Sequence, residues 1–236
     1  MSDVNLEDSK GTISISLVHE ALCSAQQRGL NIQAMLLKAG ITLELLHSAK
    51  ARVSISQYAQ LWVEIADVMN DEFFGMDSHA MRRGSFKLLS QSVMQAETLK
   101  KALQHILQFL NLLLDDFISQ LFVQENYAYI VIYEQKQTKR MFSYATYLML
   151  IHGLMCWLAG QRILIKQIQL KCDAPLDDQD YKVRFCQDIQ YNCSENYIQF
   201  DANYLNIQIK QDQQSWYRFI QQTPQNLLVR FKNPHA

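Results

Sequence analysis

The sequence predicts an α+β fold, with a helical N-terminal layer followed by a small, mostly antiparallel sheet packed around one central apolar helix. Three observations carry this reading. Residues 14–113 hold successive segments with apolar residues at helical spacing, punctuated by glycine and by polar capping residues. Phe117–Gln124 and Tyr127–Glu134 are rich in β-branched and aromatic residues and flank Glu125-Asn126, a hairpin pattern. Met141–Ala159 then runs 19 residues without a charge. Strands do not alternate regularly with helices, which argues against a doubly wound parallel sheet.

Taken in order, residues 14–28 place Ile15, Val18, Leu22 and Ala25 on one helical face, and Gly29 supplies a left-handed stop. Asn31 caps a helix over 32–39 that Gly40 ends, and Thr42 caps a brief turn over 43–47. Ser54-x-x-Gln57 is a capping box ahead of a longer helix through Ala59, Trp62, Val63, Ala66 and Met69. Asn70-Asp71 breaks it. The pattern predicts further helices over 73–83 and 85–95, separated by Gly84, and a strongly apolar one from the Thr98 cap through Leu113. After the hairpin and the uncharged helix, which Gly160 ends, residues 163–171 alternate as a strand. Residues 188–191 and 197–201 form a second hairpin candidate. Helix returns over 212–222, stopped by Pro224.

A chain of 236 residues can bury a core without disulfide or metal support. With 49% hydrophobic residues, 7 Gly and 3 Pro, it is not disordered, collagen-like or of low complexity. Lys+Arg 22 against Asp+Glu 23 leaves a net charge of −1, so nothing draws the chain as a whole to phosphate backbones or anionic lipid. The cysteines Cys23, Cys156, Cys172, Cys186 and Cys193 are odd in number and form no Cys-x-x-Cys, a usage that fits free thiols in a reducing cytosol. Residues 1–8 are acidic and lack an apolar signal core, so the expected location is cytoplasmic. Asn192-Cys193-Ser194 matches the glycosylation acceptor pattern, a chance match in that setting. The uncharged run is long enough to cross a membrane. Its Ser143, Thr146, His152 and Gly153, with no second such run, favour a buried core helix and no membrane partner.

Phosphate-cradling glycine loops, the Gly-x-Ser-x-Gly elbow and His-Glu-x-x-His are all missing. Three groups remain. His152 and Cys156, at i and i+4, form either a thiolate–imidazole pair of a small cysteine-dependent enzyme or a buried structural pair. Ser143, Tyr144 and Tyr147 cluster elsewhere on that helix; their hydroxyls either orient a ligand in an apolar pocket or reach water from buried rings. Arg82-Arg83 either pairs a ligand carboxylate or complements a helix C-terminus. Asp115-Asp116 and Asp177-Asp178 sit at element boundaries and read as breakers and caps. No metal or cofactor set emerges. Residues 202–236 carry Arg218, Arg230 and Lys232 but no complete helix-turn-helix.

Gly84-Ser-Phe-Lys-Leu-Leu-Ser-Gln-Ser-Val-Met-Gln-Ala-Glu-Thr98-Leu99-Lys-Lys-Ala102-Leu103 resembles AraC-family transcription regulators with the arabinose-binding-type N-terminal effector domain. The later series Pro175, Tyr181, Phe185, Ile189, Tyr191, Ile198-Gln-Phe200 and Tyr204-Leu205 is similar to the same family, so the likeness spans residues 13–212. Cys186 departs from it, since the family often has glycine after the phenylalanine. The resemblance implies a non-enzymatic sensor filling residues 1–236, with a helix-turn-helix DNA-binding domain expected beyond. It implies a small-molecule effector, DNA through that further domain, and a homodimer as partners. It carries over no ligand contacts. Chemistry alone nominates Tyr144, Tyr147 and His152 for the effector, with Arg82 and Arg83 behind them; a pure dimerisation module is the remaining alternative.

Overall fold

The structure, a computed structural model, describes residues 11–229. Residues 1–8 and the basic Arg230 and Lys232 lie outside the described residues. Ten helices and seven strands follow one another there in an α+β arrangement.

Local chemistry sets the N-terminal layer. Ser14 caps α1 (Ile15–Gln27), and Asn31 caps α2 (Ile32–Lys38) by accepting the Ala34 N–H. Thr42 precedes α3 (Leu43–Leu46) without making the side-chain bond expected of it. Ser54 and Gln57 close the capping box of α4 (Ile55–Met69) in both directions, at 3.1 and 3.0 Å. A feature the sequence did not reveal joins these helices: β1 (Thr12–Ser14) pairs antiparallel with β2 (Arg52–Ser54). After Gly84 come α5 (Ser85–Val93) and, from its Thr98 cap, α6 (Leu99–Leu113).

Residues 73–83 are not the helix that their spacing predicts. Buried carboxylates take the backbone N–H groups that a helix would give to its own carbonyls. Asp71 accepts from Phe73, Gly75 and Met81 at 2.9, 2.7 and 3.0 Å. Glu72 accepts from Gly84 and Phe86, both at 2.8 Å, while Asp77 accepts from His79, Asp115 and Asp116. Phe74 and Gly75 both carry positive φ, which turns the chain out of helical geometry.

The first hairpin forms as expected from β3 (Phe117–Gln124) and β4 (Tyr127–Glu134). The second does not. β6 (Ile189–Gln190) pairs parallel to β5 (Ile165–Gln169), and β7 (Asn196–Asp201) passes to the other edge of β5, giving the order β3-β4-β7-β5-β6. The cause is visible at the turn: Asn192 donates to the Cys172 carbonyl and Cys193 to that of Leu170, both at 3.0 Å. Those bonds hold the chain beside β5 instead of folding β6 back on itself. Ala128, Ile130, Ile132, Ile198 and Phe200 alternate onto the buried face. Between β5 and β6 lies a second unforeseen element, α8 (Gln179–Arg184); Cys186 after it needs no positive φ.

The helix α7 (Met141–Ala159) is buried throughout, so the one described helix long and apolar enough to span a membrane is the core of the fold. It packs against α6, α1 and α10. The C-terminal segment, α9 (Gln213–Gln221) and α10 (Gln225–Leu228), crosses it as a strap. Trp216 of α9 donates to Ser90 of α5 at 3.0 Å, and Phe219 stacks on Trp157 at 4.6 Å. At Gly153 a Cβ would meet Leu227 Cδ2 at 2.5 Å, so any larger residue there would have to displace that methyl of α10.

Candidate functional site

The strap separates two clefts. The first, of about 390 Å³, lies between α4, the 71–84 loop, α7 and the strap. Trp62, Val63, Ala66, Phe74, Phe86, Leu150, Ile220, Pro224 and Leu227 make it largely apolar, with Glu72, Arg83, Lys87 and Thr223 among its lining. Trp62 is nearly inaccessible, its ring edge-on to Phe74 at 4.9 Å, and its indole N–H is buried with no hydrogen-bond partner. The neighbouring Tyr58 hydroxyl, raised well above its ordinary pKa by burial and drawn back by a side-chain contact with Trp62 that falls outside hydrogen-bond geometry, donates to the Leu17 carbonyl at 3.1 Å. A buried N–H without an acceptor costs about 1–3 kcal/mol.

The second cleft, of about 820 Å³, opens on the strap's other side between α7, α8, α9 and α10. Gly153, Cys156 and Trp157 belong to α7, while Arg184 and Arg218 bring the only charges among the described residues of its lining. Arg184 is fixed from three directions. Its Nε donates to the Leu227 carbonyl at 2.9 Å, its Nη1 to His152 Nδ1 at 3.2 Å, and its guanidinium lies 5.3 Å from the Phe185 ring centre.

The tautomer of His152 follows from these contacts. Nδ1 accepts from Arg184, so Nε2 carries the proton and donates to the Ile163 carbonyl at 2.8 Å. Cys156 Sγ lies 3.5 Å from Nε2 but accepts the Ile163 N–H at 3.3 Å. Burial, then the charge of Arg184, lowers His152 to about 3; burial raises the Cys156 thiol to about 11. The imidazole offers the thiol no lone pair and the thiol stays protonated, so the pair does not make an activated nucleophile.

The other residues nominated from the sequence fall in different places. Tyr147 is buried, stacked on Phe117 at 5.1 Å and bonded to Ser119 Oγ at 2.6 Å. Tyr144 is buried beside it, edge-on to Phe117, and its hydroxyl donates to the Glu134 carboxylate. Both hydroxyls thus meet groups of the β3–β4 hairpin, and neither tyrosine lines the two clefts. Ser143 is buried as well, while Arg82 is exposed. Arg83 lines the apolar cleft, where Asp67 at 2.6 Å and Glu72 at 3.2 Å already answer its charge.

Asp116, one of the boundary carboxylates, holds the 71–84 loop to the hairpin. Burial alone would raise its pKa, but hydrogen bonds from Lys139, Ser78 and Lys136 outweigh that and keep it well below the usual carboxylate range. Among the described residues no group of three or more His, Cys, Asp or Glu is placed to hold a metal ion. Trp62 and Arg184 are the residues that sequence reasoning missed. Trp62 reads as one more apolar position on α4. Arg184 carried a usable signal, since Asp178 stands before α8 and Lys182 and Arg184 fill its last turn.

An α+β core with two clefts beside a crossing strap has room for small ligands. The chain belongs to the family of arabinose-binding domains found N-terminally in AraC transcription regulators, which matches residues 29–209. It is therefore a ligand-sensing regulatory domain. No curated protein matches the chain significantly.

Proposed function

We propose that this chain is the cytoplasmic effector-sensing part of an AraC-type regulator, and that a small molecule with an apolar body binds in the cleft between α4, α7 and the strap. The observation that carries this reading is the cleft's apolar lining, with Trp62, whose buried indole N–H meets no acceptor of good geometry, in its wall. A ligand body would cover Phe74, Leu150 and Ile220, and a ligand acceptor reaches the N–H once the indole turns toward the cleft. Four strap residues, Ile220, Thr223, Pro224 and Leu227, line the same cleft. Occupancy therefore biases the strap's position through differential contacts, which is the requirement for a population shift. In a regulator of this class the DNA-binding region follows the sensor, so the strap stands between ligand and DNA. A changed strap would alter DNA binding or pairing of two sensors.

A thermal-shift screen of small apolar compounds, each with one hydrogen-bond acceptor, tests this on the purified chain. A true effector at a hundred times its dissociation constant stabilises by about 2.7 kcal/mol. Val63→Trp, which fills the cleft from α4, is expected to remove that gain while the fold is retained by circular dichroism. If no compound stabilises the parent, or if Val63→Trp responds equally, the cleft is not the effector site.

A further inference from the structure

We propose that the second cleft is a separate binding site for a small anion, a carboxylate or a phosphate, recognised by Arg184 with Arg218 beside it. The inference does not rest on occupancy of the apolar cleft. Its first ground is charge: among the described residues the lining holds two guanidinium groups and no carboxylate. Elsewhere Arg52, Arg83 and Arg140 each meet an acidic side chain directly. Arg184 meets none among the described residues, only a carbonyl, a neutral imidazole and a ring face.

The second ground is preorganisation. Three contacts hold Arg184 against the cleft wall, so an arriving anion need not order a flexible side chain. Its Nε and Nη1 are engaged from behind, and no protein acceptor is assigned to Nη2 among the described residues. Burial lowers the guanidinium to about 10, a direction that an anionic neighbour would reverse. From α9 the same lining receives Arg218, which forms no ion pair among the described residues although its charge reaches Asp212. Gln222 and Gln225 add neutral amides, and Trp157 stacked on Phe219 gives an aromatic wall. Charge-assisted bonds from two guanidinium groups are the strongest common way to hold a carboxylate or phosphate. His152 is then a positioning residue, orienting Arg184 through Nδ1 without touching the anion.

The whole chain is titrated with inorganic phosphate, succinate and acetate, with ionic strength held constant by chloride. Melting temperature and tryptophan fluorescence are followed together. A saturable response to at least one of the three is expected, and the order of phosphate against the carboxylates says which anion class the site prefers. Arg184→Gln should weaken that response by about tenfold or more, since a hydrogen bond to a charged group contributes about 1.5–3 kcal/mol. Arg218→Gln, an exposed change that leaves packing intact, should weaken it several-fold. Lys101→Gln, an exposed cation on α6 that lines neither cleft, should leave it unchanged. A flat response to all three anions would overturn the site, as would equal responses in the parent and Arg218→Gln. The apolar-compound screen reads the first cleft separately, so either site can fail without the other.

Discussion

The two clefts share the strap as a common wall and differ in how their polar groups are answered. In the apolar cleft Arg83 meets Asp67 and Glu72, Glu72 also receives two backbone N–H groups, and the exposed Lys87 lies 6.0 Å from the Trp216 ring centre. What is left over among its buried groups is one neutral donor, the Trp62 N–H. In the second cleft Cys156 and, behind it, His152 find partners at Ile163, and what is left over is charge on Arg184 and Arg218. A satisfied polar group is scaffold, whereas a leftover one states the chemistry of what it can bind. The difference teaches that one cleft selects an apolar molecule with an acceptor and the other an anion.

The comparison presumes that the loop framing the apolar cleft is held independently of any ligand, and Asp71→Ala breaks that frame. The substitution leaves the N–H groups of Phe73, Gly75 and Met81 without their acceptor. With three orphans at about 1–3 kcal/mol each, the expected loss is about 3 kcal/mol or more. Denaturant unfolding measures it, and a loss below about 1 kcal/mol would mean that the loop is organised by something else.

Leu227→Ala attacks the wall that the clefts share. Leu227 is buried against Gly153, lines the apolar cleft, and its carbonyl holds Arg184. Leu→Ala in a core costs about 2–5 kcal/mol, and a terminal helix that can partly collapse belongs near the low end. Hydrogen exchange should show the amides of α9 and α10 opening while β4 and α7 stay protected. If the strap stays as protected as in the parent, it is not anchored where the two clefts meet.

The third prediction sharpens the charge side. Burial and Arg184 hold His152 neutral at about 3, against about 6.5 in an unfolded chain. Its folded pKa is depressed, so its contribution is complete above pH 6.5 and is lost as pH falls toward 3. By pH 5 that amounts to about 2 kcal/mol. Cys156 on α7 and Arg184 on α8 face the ring, and the thiol stays neutral throughout, so burial first and the charge of Arg184 second set the slope. Unfolding in urea at pH 7 and pH 5 should show this dependence in the parent and a flatter one in His152→Gln. Identical slopes would place the titrating group elsewhere.

Much of the fold was legible because its signals are local. Ser54 with Gln57, Asn31, Thr98 and Asp212 each satisfy N–H groups two or three residues away, so sequence spacing alone locates those helix starts. The 73–83 segment failed for the opposite reason. Its apolar spacing is helical, but Asp77 spends its carboxylate on Asp115 and Asp116, up to 39 residues away, and spacing carries no trace of that. The β6–β7 misreading is similar: both segments are strands, but which edge of β5 each takes depends on bonds from 192 and 193 back to 172 and 170. For the clefts, Arg83 was visible as a charge beside a glycine. Tyr144 and Tyr147 were chosen for their hydroxyls, whose partners Glu134 and Ser119 come from the hairpin and could not be foreseen from the helix alone.

The smallest effect is the most discriminating one. Trp62→Phe keeps a ring against Phe74 and Tyr58 but removes the unpartnered N–H. Lost packing volume and the relieved cost of a buried donor oppose each other, so stability should stay within about 1 kcal/mol of the parent. A residue with a packing role alone would lose stability and leave ligand response unchanged. If the N–H is kept for an acceptor on the ligand, the order reverses: stability holds, while the shift produced by the best compound of the thermal screen shrinks, because the compound's acceptor is left buried without a donor. The same variant should leave phosphate and succinate responses as they were, since Trp62 does not line the second cleft. A variant that weakened both responses equally would show that the strap couples the clefts, making the two leftover groups parts of one site for an amphipathic anion.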